Sequence, residues 1–188
     1  MKALSTAVAC SAFLLASLAT APSHAQSTYT SPLLPEPQSA AAEVAGLMRA
    51  GKNTEALKRS EEILKDQPRN LQTRFMRAVL LADLGRKPEA VAEYERMTQE
   101  YPEIPEPYNN LAVLLAAQGQ LTRASALLQQ ALAAHPQYAT AYENLGDIYL
   151  ARAVDAYKHA TEHDAGNAPL QAKLKSARDQ VDKLAPSK

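Results

Sequence analysis

The chain has 188 residues, with 20 Lys+Arg set against 20 Asp+Glu, no Trp and a single Cys. That balance leaves no basic excess to neutralise phosphates, which argues against nucleic acid as a partner. Hydrophobic residues make up 46% of the chain and aromatics only 5%; many of the hydrophobics are alanine, so the expected core is one of closely approaching helices, an all-α fold rather than a β-sandwich.

Residues 1–25 have the pattern of a cleavable signal peptide. Met1-Lys2 supplies a positive start, and residues 3–21 are apolar or small around Phe13-Leu14-Leu15. Ser23 and Ala25 then place small residues at the −3 and −1 positions of a cleavage site, which makes Gln26 the expected new N-terminus. The expected location is the bacterial periplasm or the outside of the cell. Cys10 lies inside this segment, so the processed chain has no thiol, which fits an oxidising compartment. No second apolar run of spanning length follows, so no membrane association is expected after cleavage. Residues 26–38, with prolines at 32, 35 and 37, read as an extended, flexible leader. Within it, Leu33-Leu34 is a candidate docking motif.

From residue 39 the chain repeats itself. Gly51, Gly85 and Gly119 are 34 residues apart, as are Pro68, Pro102 and Pro136, and Ala56, Ala90 and Ala124. Each position has a mechanical reason. The glycine ends a first helix in the left-handed conformation. The alanine lets two helices cross closely, and the proline stops the second helix. Between these marks, apolar residues recur three and four apart, as in Tyr108, Leu111, Ala112 and Leu115. One repeat is therefore helix, tight turn, helix, break.

In these residues the chain resembles the tetratricopeptide-repeat family. Counted from Pro37, Leu71 and Pro105, the signature positions 8, 20, 27 and 32 hold Val44, Ala56, Ile63 and Pro68; Ala78, Ala90, Met97 and Pro102; and Ala112, Ala124, Ala131 and Pro136. The first two repeats depart from the pattern, with Ala40 and Arg74 at the usually aromatic position 4 and Glu43 and Arg77 at position 7. The resemblance implies a helix-turn-helix solenoid, with an array over residues 39–165.

The fourth repeat is shortened by five residues. Tyr142, Leu145, Gly146 and Tyr149 begin it, but Ala153 follows Gly146 by seven residues where the other repeats have twelve. Seven residues are two helical turns, so the stripe 142, 145, 149, 153, 156, 160 stays in phase. The spacing predicts one continuous helix over about 139–163, roughly 37 Å long. The alternative is a helix pair with a very tight turn. A last helix over 168–184, with the stripe Leu170, Leu174, Ala177, Val181 and Leu184, is expected to cap the array in place of the missing second helix. Its alternative use is a homodimer through Tyr157 and Leu174.

No catalytic constellation, glycine-rich phosphate loop or zinc-type spacing occurs, so neither enzyme activity nor a cofactor is expected. His159 and His163 lie one turn apart, with Asp155 a turn earlier; this reads as a solvated face rather than a metal site. Glu93, Glu95, Glu100, Glu103 and Glu106 read as a solvated acidic rim. The resemblance implies a concave face lined by the first helices, which holds a protein or peptide segment. Carried over position by position, it selects Gln72, Phe75, Met76, Val79 and Asp83; Glu106, Asn109, Asn110 and Val113; and Glu143, Asn144 and Asp147. Phe75 is either a groove anchor or local packing. Asn110 and Asn144 stand where the family often has an asparagine that pairs with a peptide backbone. The basic residues with which some relatives clamp a C-terminal carboxylate are absent, so the expected ligand is an apolar and basic segment. The expected role is a periplasmic scaffold or adaptor; the alternatives are a chaperone-like holder of exported chains and a structural subunit.

Overall fold

The computed structural model describes residues 31–33 and 39–184. Eight helices follow one another: α1 (Ala40–Arg49), α2 (Asn53–Asp66), α3 (Leu71–Asp83), α4 (Lys87–Glu100), α5 (Pro105–Ala117), α6 (Leu121–Ala134), α7 (Ala139–His163) and α8 (Ala168–Leu184). There is no strand among the described residues. The fold is all-α, built from tetratricopeptide-type helix pairs. It divides into two compact units, and the division falls within α5, after Leu111. The predicted signal peptide and most of the leader, residues 1–30 and 34–38, lie outside the described residues.

In the unit ending at Leu111, α1 packs on α2 and α3, α2 on α3, and α3 on α4. The small residues selected by the repeat lie at the crossings: Val44, Ala56, Ala78 and Ala90 are completely buried. Large side chains then fill the space beside them, including Ile63, Leu81, Tyr94 and Met97. The turns within pairs use glycine for its backbone. Gly51 and Gly85 have φ of 71° and 81°. The next residue in each case donates to a carbonyl five back, Lys52 to Leu47 (3.0 Å) and Arg86 to Leu81 (2.8 Å), the Schellman closure of a helix end. Between pairs, the Asn70 N–H donates to the Gln67 carbonyl (3.0 Å), and the Asn70 side chain accepts from the Thr73 N–H (3.0 Å) to cap α3.

The unit from residue 112 contains the rest of α5, then α6, α7 and α8, with α6 packed on α7 and α7 on α8. Gly119 repeats the glycine turn at φ 78°. α7 is a single helix of 25 residues, as the two-turn spacing left by the five-residue deletion predicts. Two features differ from expectation. The buried residues of α7 are Ala141, Leu145 and Ile148, while Tyr142 and Tyr149, expected in the buried stripe, are 56% and 47% exposed. The cause lies in partner geometry: fusing two helices leaves α7 without the neighbour that would cover that face.

The second difference concerns α8. Asn167 N–H donates to the Asp164 carbonyl (3.2 Å), and the Asn167 side chain accepts from the Leu170 N–H (3.0 Å). This is the turn and cap that introduce α3. α8 packs back along α7, as expected, but through an entry turn of the kind that introduces a first helix. Leu174 is buried, so it serves the packing within this unit.

Candidate functional site

On α3, residues 72, 75, 76, 79 and 83 recur three and four apart and so share a face. Phe75 is 3% exposed and Met76 completely buried. The Phe75 ring meets Tyr94 of α4 at a centroid distance of 5.9 Å, tilted by 60°. Phe75 is thus local packing rather than an anchor open to a ligand. The reason is volume: position 4 of this repeat is Arg74, so the following residues supply the bulk an aromatic would have given. Asn109 and Val113 are buried as well, and these four leave the set that can touch a partner directly. Gln72, Val79, Glu106 and Asn110 are half-buried and Asp83 is exposed.

Tyr94 links two parts of this surface. Its ring lies against Phe75, and its hydroxyl accepts a hydrogen bond from the Asn110 amide (3.1 Å). The Asn109 amide donates in turn to the Asn110 side-chain oxygen (3.2 Å). Asn110, expected to pair with a peptide backbone, is therefore held in place by its neighbours. Asp83 keeps an exposed side chain at the helix end, yet the protein on one side of it desolvates the carboxyl and raises its pKa.

A short stretch of the leader lies against the start of α3. The Gln72 amide donates to the Pro32 carbonyl (3.2 Å), the Leu33 N–H donates to the Ser31 hydroxyl (3.2 Å), and Leu33 is 3% exposed. Of the candidate docking pair, Leu33 is thus buried; Leu34 lies outside the described residues.

In the second unit, Glu143, Asn144 and Asp147 lie on α7, Glu143 exposed and the other two half-buried. The Asp147 carboxyl is shifted upward, first by desolvation and then by the negative charge of Glu143 one turn away. Tyr142 and Tyr149, seven residues apart on the same helix, are exposed, with Gln129 donating to the Tyr149 hydroxyl (3.4 Å). Amphipathic spacing alone assigned these tyrosines to the core. The missing turn was the signal that the core on that side ends early.

A shallow cleft of about 620 Å³ in the first unit is lined by Pro68, Arg69, Arg74, Glu93, Arg96, Glu100 and Tyr101. Glu93, expected on a solvated rim, is 4% exposed. It accepts from Arg74 (2.7 Å) and Arg96 (2.5 Å) and lies 3.7 Å from Arg77. Arg74 also donates to Glu100 (2.5 Å) and lies over the Tyr101 ring at 6.0 Å. Burial would lower the Arg74 pKa, but the hydrogen bonds it donates to Glu100 and Glu93 outweigh it and raise it. The same contact lowers the Glu100 pKa. The cleft's central guanidinium is thus committed to structure.

His159 and His163 are both exposed, and the His159 Nδ1 lies 3.2 Å from Glu162. No group of three potential metal ligands occurs among the described residues, and no described helix is long and apolar enough to cross a membrane.

The architecture defines a class, repeat proteins of paired helices with glycine turns inside each pair. Two tetratricopeptide-repeat family models match, one over residues 42–104 and the other over 114–152, together more than half of the chain. The chain belongs to the tetratricopeptide-repeat family. Among solved structures, it is similar to TTC0263, a thermophilic tetratricopeptide-repeat protein of Thermus thermophilus, at 18% identity and a TM-score of 0.55, covering 73% of this chain and 96% of that one. It is also similar to MamA, at 22% identity and a TM-score of 0.53, covering 75% and 89%. A MamA fragment from Desulfovibrio magneticus gives 18% identity and a TM-score of 0.56, covering 74% and 76%. At these identities the likeness is one of fold. No curated protein matches the sequence. Membership supports a protein–protein interaction module.

Proposed function

We propose that this chain is an exported scaffold or adaptor that holds an extended segment of another protein against the exposed side of α3 and α5 in its first unit. The observation that carries this reading is the surface around Tyr94. Buried Phe75 and Met76 support from beneath a surface on which Gln72, Val79 and Asn110 are half-exposed, with Asp83 exposed at the end of α3. Such a surface suits a segment with apolar side chains and a basic residue, the amides fixing its backbone. Export is supported by the charge, apolar and small-residue order of residues 1–25 and by the absence of any cysteine after Cys10. The acidic face of α7 is a separate surface of the same preference. Catalysis has no support from any residue constellation on these surfaces.

The test is capture from an envelope fraction with the unaltered chain and with Asp83→Lys plus Asn110→Ala, with thermal unfolding checking that loss of the bond to the buried Tyr94 hydroxyl leaves the variant folded. A stoichiometric partner held by the former and lost by the latter is the expected result; equal capture by both sinks the reading. A smear of many chains would instead favour a holder of unfolded proteins. A second reading, self-association through α7 and α8, is favoured by the exposed Tyr142, Tyr149 and Leu184. It predicts a dimer in light scattering that Tyr142→Ser plus Tyr149→Ser dissolves.

A further inference from the structure

We propose that the first turn of α3 is a dock for a proline–leucine segment and that residues 31–33 of this same chain occupy it in cis, covering one end of the peptide-binding surface until a partner displaces them. The proposal rests on the reading above that this side of α3 binds extended segments.

Three observations carry it. Leu33 is as buried as Phe75 and other core residues, although it comes from a proline-rich sequence and residues 31–33 are not helical. The backbone is gripped rather than merely covered, since the Gln72 amide donates to the Pro32 carbonyl. The segment is also shaped for the purpose: the Ser31 hydroxyl accepts from the Leu33 N–H and so closes the turn that carries the leucine. Gln72 is one turn from Phe75 and Met76 on the same face of α3, so the leader lies at one end of the surface assigned to the partner.

The energetics fit a displaceable contact. One apolar side chain and one amide–carbonyl bond give a weak free ligand, with a Kd on the order of 1 mM, well short of what a whole interface provides. Tethering compensates for this. Leu33 lies six residues before Ser39, which caps α1, and so short a link holds the segment at an effective concentration of about 1 mM. Proline adds to the bias by restricting the free segment to extended conformations. The partner that fits is an extended segment with proline before leucine, followed by further contacts along α3 that the leader does not make.

The probe is a labelled synthetic peptide of residues 29–36, titrated into the full chain and its variants by fluorescence anisotropy. Leu33→Asp should empty the dock, so the peptide should bind that variant about twofold more tightly than the unaltered chain. Adding Gln72→Ala should reverse most of the gain. Equal affinity for the unaltered and Leu33→Asp chains, or no binding to either, overturns the proposal. The second measurement needs no ligand. Exchange of the Leu33 amide should be slowed in the unaltered chain and should speed up about twofold in Gln72→Ala; unchanged exchange also overturns it. Protection that rises with protein concentration would mean exchange of leaders between copies and overturns the cis assignment. These variants differ from Asp83→Lys and Asn110→Ala, so loss of the partner reading and loss of the cis dock are separately visible.

Discussion

The Arg74–Glu93 pair shows how one residue out of pattern reshapes its surroundings. Arg74 stands where the repeat usually has a large aromatic, and its guanidinium had to find an acid inside the fold; Glu93 supplies it, buried among Arg74, Arg77 and Arg96. Glu93→Ala would leave Arg74 buried with only the exposed Glu100, and is expected to cost about 3 kcal/mol. Replacing both, Arg74→Met with Glu93→Leu, should restore most of that loss, as urea unfolding of the three chains would show. Carboxylates elsewhere act in opposite senses with pH. The folded-state pKa of Glu100 is lowered by Arg74, so its contribution is present at neutral pH and is lost as pH falls through that lowered value. Asp147 has its pKa raised by burial and by Glu143, so its ionisation opposes folding above the raised value. Asp147→Asn should therefore melt at a higher temperature than the parent at pH 7, with the difference vanishing below the ordinary aspartate range. A like difference at both pH values would contradict this. None of these roles was legible in sequence, because nothing in the spacing of Glu93, Glu95, Glu100, Glu103 and Glu106 marks which acid faces inward. That depends on where Arg74 points. Phe75 was ambiguous in sequence for the same reason, since only the fold brings Tyr94 against it.

Secondary-structure elements were far more legible, because each boundary in this chain is set by a local cause. Glycines 34 residues apart imply three left-handed helix ends, and all three are found at positive φ. The Cβ of an alanine would meet nothing within 4 Å at Gly85, so the cost of Gly85→Ala is purely conformational, roughly 1 kcal/mol. Gly146 tests the opposite case. It occupies the position where Val44, Ala78 and Ala112 are completely buried, yet it is exposed, within a regular helix, and has open space around it. Close packing no longer requires a glycine there. Gly146→Ala should accordingly stabilise the chain by up to about 1 kcal/mol, through the helix propensity of alanine. Thermal unfolding of the two variants should shift in opposite directions; a loss of stability at Gly146 would mean that the position is still a crossing. What periodicity could not show was the environment of α7. The stripe through Tyr142 and Tyr149 was correctly helical in period, but burial depends on the neighbours, and the deletion that fused the helix also removed one of them.

At the scale of the whole molecule, a repeat protein distributes its stability along the chain, because each element is supported chiefly by the elements it touches. Burial is densest in the middle of the chain: α5 buries ten of its 13 residues and α3 seven of its 13, whereas α8 buries only Leu174 and Ala177 out of 17. Hydrogen exchange should therefore be slowest in α3 and α5, faster in the C-terminal half of α7, and fastest in α8. Leu174→Ala sharpens the expectation. It removes one of two buried contacts of α8, at a cost of about 2 kcal/mol, and should release the amides of α8 and the facing part of α7 while leaving those of α3 and α4 as protected as before. Uniform loss of protection along the chain would mean that the array unfolds as one cooperative body. The distribution has a functional consequence under the proposed reading. The surface around Tyr94 belongs to the densely packed part, so a partner bound there meets preformed geometry and pays little ordering entropy. The C-terminal helices, with exposed tyrosines on a thinly packed unit, are the part whose protection a second copy would raise most.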